Sequence, residues 1–88
     1  MEIREEKAAI IGIFIKDFDA VPKVNRILHD YAEDIIGRIG IPCRDRDLHV
    51  ISIILSTTPD RISALSGKLG ALRGVSAKTV YSKVEGAY

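Results

Sequence analysis

No run of eighteen apolar residues occurs anywhere in this 88-residue chain, so no segment is expected to span a bilayer as a helix. No basic, apolar and small-residue leader opens it, and its single cysteine, Cys43, has no internal partner for a disulfide. A reducing cytoplasm is the expected address. Charge of one sign is also missing: 13 Lys and Arg face 12 Asp and Glu, a formal charge of +1. That balance is too small to recruit nucleic acid or an anionic membrane through a field. No nucleophile, base and orienting group stand at a plausible mutual spacing, so turnover is not expected.

What the chain has in quantity is aliphatic surface. Hydrophobic residues make up 47% of the sequence, and the mean hydropathy is +0.12. A single domain of this length, spanning residues 1–88, hides only roughly 60 to 65% of its unfolded surface. More apolar surface is present than such a domain readily buries within itself, which predicts self-association.

The organising stretch is a β-hairpin. Residues 35–41 and 50–55 are dominated by Ile, Val and Leu, side chains suited to a pleated, half-buried surface, and the polar residues 44–47 between them form the turn. Pro42 has no N–H to donate, so it ends the first arm or lies on an edge strand, with that arm outside the second.

Upstream, residues 1–7 are charged and aperiodic, a polar lead-in with little expected function. Residues 8–15 (AAIIGIFI) are apolar at consecutive positions and read as a strand buried on both faces, with Gly12 a packing constraint against a helix in preference to a bulge or a close backbone approach. Asp19 is the expected cap of a helix whose first turn holds Pro22. Val21, Val24, Ile27, Leu28 and Tyr31 form its apolar stripe, with Lys23, Asn25, Arg26 and Asp30 opposite. After the hairpin, Thr58 as cap and Pro59 at the first helical position start a second helix with Ile62, Leu65 and Leu69 inward and Ser63, Ser66 and Lys68 outward. Gly70 is its expected left-handed terminator. A last strand follows from Val75 to about Val80, then a polar tail with Ser82, Lys83 and Glu85.

The order βαββαβ predicts an α+β, ferredoxin-like domain: a four-stranded antiparallel sheet with both helices on one face, because each crossover is right-handed. The other face is left bare. With Ile11, Ile13 and Ile15 set against Ile10 and Phe14, and Ile51, Ile53 and Leu55 against Val50 and Ile54, both faces of the first and third strands are apolar. A homo-oligomer, dimer or tetramer, closed through that sheet face is the expected assembly.

Four residues in the hairpin, Cys43, Asp45, Asp47 and His49, are spaced by two and would share one face if strand geometry ran through them. A thiolate, carboxylates and an imidazole on one face would suit a divalent metal, with His29 as a further ligand from elsewhere in an assembly. The competing reading is an ordinary polar turn, a surface histidine and a cysteine that packs as a small hydrophobe. Arg38, beside Gly37 and Gly40, is the candidate for a small anion or regulatory ligand, against the plain role of an edge-strand arginine that discourages aggregation. Thr57, Thr58 and Asp60 are explained by capping, and residues 66–70 (SGKLG) lie inside a helix and lack the pattern of a phosphate loop.

The run ILHDYAEDIIGRIGIPCRDRDLHVISIIL, followed by ISALSGKLGALRGVSAKT, resembles the small ACT-like proteins described as iron-only hydrogenase system regulators. The resemblance covers residues 10–79 and is sharpest at IIGRIGIP (35–42) and SALSGKLG (63–70). It implies a ferredoxin-like regulatory module that assembles through its sheets, similar to the ligand-binding domain of the nickel-responsive regulator. Where that domain uses several histidines and a cysteine, this chain has His29, His49 and Cys43, and no DNA-binding segment precedes its first strand, so nucleic acid is not expected without a partner protein. Related ACT domains that bind amino acids carry a glycine between the first strand and first helix, and residues 16–21 (KDFDAV) have none. The same loop lacks the phosphate cradle and arginine of an acylphosphatase-like enzyme, and residues 50–55 lack the aromatics of an RNA-stacking sheet. A non-enzymatic regulatory module is the leading expectation, with a metal-binding sensor or accessory protein as the alternative.

Overall fold

In the computed structural model, residues 6–83 are described. Residues 1–5 and 84–88, including most of the charged lead-in and Glu85 of the tail, lie outside them. The elements run β1 (Lys7–Ile15), α1 (Val21–Asp30), β2 (Ile35–Cys43), β3 (Leu48–Thr57), α2 (Pro59–Gly70) and β4 (Val75–Tyr81). Short 3-10 turns stand at Phe18–Ala20, Ala32–Asp34 and Arg44–Arg46. The sheet order is β2-β3-β1-β4 with every neighbouring pair antiparallel. This is the ferredoxin-like α+β arrangement: each helix bridges two parallel strands with a third strand between them.

Alternation along the two inner strands separates the layers. Ile11, Ile13 and Ile15 of β1 and Ile51, Ile53 and Leu55 of β3 are buried against Val24, Leu28 and Tyr31 on the α1 side and Ile62, Leu65 and Leu69 of α2. Their neighbours at even positions point the other way. The α1 stripe is as the helical spacing predicts, with Val21 and Ile27 half-buried at its margins and Lys23, Asn25, Arg26 and Asp30 exposed. Truncating a wholly buried side chain such as Leu65 to Ala would cost about 2 to 5 kcal/mol, so the helix layer is fixed by these contacts more than by propensity.

The caps divide the work differently from expectation. Asp17, not Asp19, is the capping residue: its Oδ1 accepts from the Asp19 N–H at 3.0 Å, and the capped element is the 3-10 turn before α1. Asp17 has the extended backbone that a cap requires, whereas Asp19 already lies inside the turn. Thr58 caps α2 through a hydrogen bond from the Arg61 N–H, with Pro59 at the first helical position. Gly70 does not turn the chain. It ends α2 in helical conformation, followed by Ala71 with φ −78°, and the left-handed glycine is Gly74 at φ 77°. Gly74 is needed on two counts: its carbonyl accepts from the Lys16 N–H at 2.8 Å, and a Cβ there would stand 2.6 Å from Cβ of Asp17.

Gly12 also differs from expectation. The β1 register is unbroken through it, and it faces away from the helices, where the Phe14 ring leans over it. The bulge is on β2, where the register shifts between Ile35 and Gly37 and leaves Ile36 outside the ladder. Pro42 lies on the same edge strand, outside β3 as its missing donor demands. Among the described residues, no helix is long and apolar enough to cross a membrane.

Candidate functional site

The helix-free face is built from rows that the register sets across β4, β1, β3 and β2 in that order. Val80, Ile10, Ile54 and Gly37 form one row; Lys78, Gly12, Ser52 and Ile39 the next; Ser76, Phe14, Val50 and Ile41 a third. Ile10, Phe14, Ile39, Ile41, Ile54 and Val80 are all exposed, from 40% at Phe14 to 65% at Val80. Lys78 is the one charged side chain in these three rows. At one end of the face an apolar hollow of about 210 Å³ is lined by Ala8, Ile10, Ile54, Val80 and Tyr81 among others. At the other, about 330 Å³ opens between Phe14, Leu48, Val75 and Lys16. An apolar surface of this extent, with few polar partners, can bury against another apolar surface and offers little with which to orient a reacting group.

The metal constellation expected in the hairpin does not form on one face. Two-residue spacing places side chains together only while the strand continues, and here the 3-10 turn at Arg44–Arg46 and left-handed Asp47 (φ 50°) interrupt it. Cys43 pairs in register with Leu48 on the helix-free side, whereas His49 pairs with Pro42 and Ile15 on the helix side. There the His49 ring meets Phe18 edge to face at 6.2 Å. His29 is on α1 beside Arg38, and Arg38 to Cys43 alone is roughly 16 Å of strand, so one chain does not bring the three together. Among the described residues no group of three or more His, Cys, Asp or Glu side chains is placed to hold a metal ion.

Arg38 projects toward the helices and donates to Asn25 Oδ1 at 2.9 Å. A second polar cluster joins the helices: Arg61 Nε donates to Asp34 Oδ2 at 2.6 Å, and Arg61 and Lys68 lie 4.8 and 5.1 Å from the Tyr31 ring centre. The hydrogen bond to Asp34 holds the Arg61 pKa above its ordinary value. This exposed ion pair and its cation–π contacts orient surface side chains between α1 and α2.

Residues 7–79, from the first residue of β1 into β4, match the family model described as "TM1266-like: Iron-only hydrogenase system regulator, putative". The chain belongs to this family. No curated protein matches it. Among solved structures, the uncharacterized protein TM1266 from Thermotoga maritima is similar at 41% sequence identity with a TM-score of 0.86, covering 90% of this chain and 100% of that one.

The two blocks that carry the resemblance to the TM1266-like family fall on different layers, residues 35–42 on edge strand β2 and residues 63–70 on α2. Sequence reasoning places the bare face on β1 and β3 alone and misses Ile39, Ile41 and Val80. The signal is present for β2, in apolar residues two apart on a strand already assigned to the edge. Asn25 reads as a solvent-facing helix residue, and nothing in its neighbours points to Arg38 thirteen positions away.

Proposed function

We propose that this member of the TM1266-like family is a non-enzymatic regulatory module of the iron-only hydrogenase system that works as a homo-oligomer, most simply a twofold dimer, closed through the helix-free sheet face. Its setting is a reducing cytoplasm in which Cys43 stays a thiol. The observation that carries this reading is the continuous apolar face of Ile10, Phe14, Ile39, Ile41, Ile54 and Val80.

Magnitudes favour a second copy as the cover. Four strands about 4.8 Å apart and six or seven residues long present roughly 400 Å² in projection, and side-chain relief raises the accessible area above that. Two such faces reach the scale of about 1,000 Å² at which specific interfaces begin. Full burial of a large apolar side chain contributes roughly 1.5 to 3 kcal/mol, and about half of each is still in water here. Twelve such side chains in a dimer supply on the order of 10 to 18 kcal/mol, against an association cost of about 4 to 15 kcal/mol. Twofold closure is the commonest way to satisfy a self-complementary patch.

The test compares neighbours that point oppositely. Phe14→Lys, on the bare face, should give a folded and less associated species, and Ile13→Lys, in the core, should unfold the domain. Sedimentation of wild-type protein that shows a stable monomer at micromolar concentration would refute the assembly.

A further inference from the structure

On the helix side, α1 and β2 leave a cleft of about 270 Å³ lined by Asn25, Leu28, His29, Ala32, Ile35 and Arg38. Leu28 is buried and Ile35 half-buried, so the floor is apolar. At the rim stand the Arg38 guanidinium, which only donates, the Asn25 amide and the His29 imidazole, which in its neutral form has one donor and one acceptor nitrogen. Asn25 accepts from Arg38 through its carbonyl oxygen, which leaves its amide N–H groups as donors. The Arg38 guanidinium has five N–H donors, and its partner among the described residues is this neutral amide rather than a carboxylate, so its charge is left uncompensated. His29 follows Asn25 by four positions, one helical turn along the same side of α1. Among the described residues no carboxylate lines the cleft.

We propose that this cleft binds a small organic carboxylate, its two oxygens on the Arg38 fork and the Asn25 amide, its short apolar body against Leu28 and Ile35, and His29 closing one side. The Arg38 charge over an apolar floor selects an anion that carries a hydrocarbon part, because a cation would meet that charge with no carboxylate beside it and a fully hydrated inorganic anion would leave the floor unmatched. The volume lies below the roughly 300 to 1,000 Å³ of pockets for drug-sized ligands, which limits the guest to a few carbon atoms. This site and the assembly face lie on opposite sides of the sheet, so each stands or fails alone.

The test is a nuclear magnetic resonance titration of the full chain with butyrate, using n-butanol and inorganic phosphate as the uncharged and tail-less controls. Butyrate should give saturable shifts concentrated at the Asn25 side-chain amide, the His29 ring and Ile35, with no saturable response to butanol. Arg38→Gln, an exposed substitution that still offers Asn25 a donor, should weaken butyrate binding by at least about tenfold, the loss expected for a charge-assisted hydrogen bond. Arg38→Lys should retain part of it, since the charge stays and the fork goes. Non-saturating shifts, equal affinity in Arg38→Gln, or tighter binding of phosphate than of butyrate would each overturn the proposal.

Discussion

The Phe14 ring lies over Gly12, its Cε2 atom 3.5 Å from where a Gly12 Cβ would stand. That separation is ordinary van der Waals contact, so the glycine gives the ring a seat without being required for it. Gly12→Ala should therefore fold and gain about 0.4 to 1 kcal/mol, because the unfolded chain loses backbone freedom while β1 keeps its conformation. Urea midpoints at one fixed protein concentration measure this, and a loss larger than about 1 kcal/mol would show that the ring cannot accommodate the methyl group.

Gly74 behaves in the opposite way. Its φ of 77°, and the 2.6 Å that would separate an added Cβ from Cβ of Asp17, mean that Gly74→Ala carries both backbone strain and a clash. A loss of about 2 kcal/mol or more is expected. Repeating the substitution in an Asp17→Gly background removes the clashing Cβ and leaves the strain, so the double-mutant cycle should recover part of the loss.

Arg61 titrates above its ordinary value because of its hydrogen bond to Asp34. A cation whose folded pKa is raised contributes stability that is complete below its unfolded pKa and is lost only as pH rises through the folded one. For an arginine that window lies above about pH 12. The effect of Arg61→Met on melting temperature should thus be the same from about pH 6 to 10. A slope across that range would assign the pH response to a different group.

Cys43 and His49 point to opposite sides of the hairpin. A Cys43→Ser, His49→Ala double variant should retain the metal content of the wild type when both are purified in parallel and measured by elemental mass spectrometry. A one-for-one loss of zinc or nickel in the variant would mean that an assembled form brings together what one chain keeps apart.

Much of the fold is legible in the sequence because its signals are local and periodic. Unbroken aliphatic runs mark β1 and β3, the Thr58-Pro59 pair marks the start of α2, and Pro42 puts β2 on the edge. The errors occur where a residue's role is set by a distant segment. Gly74, not Gly70, takes the left-handed turn because its backbone must meet Lys16 and clear Asp17, which lie some fifty-seven positions earlier. The spacing of Cys43, Asp45, Asp47 and His49 suggests a shared face, but spacing cannot reveal that the intervening residues coil into a 3-10 turn. Arg38 can be singled out from its glycine neighbours, whereas Asn25, which orients it, is identified only by the packing of α1 over β2.

β1 and β3 are the two inner strands, each paired on both edges. Their backbone amides are therefore sealed in the ladder, and Ile13 and Ile51 are also cut off from water on the helix side. Such amides exchange hydrogen with solvent only through openings close to complete unfolding. If folding is coupled to association, dilution raises the population of open chains, and the deuterium uptake of these amides becomes a clock whose rate depends on protein concentration.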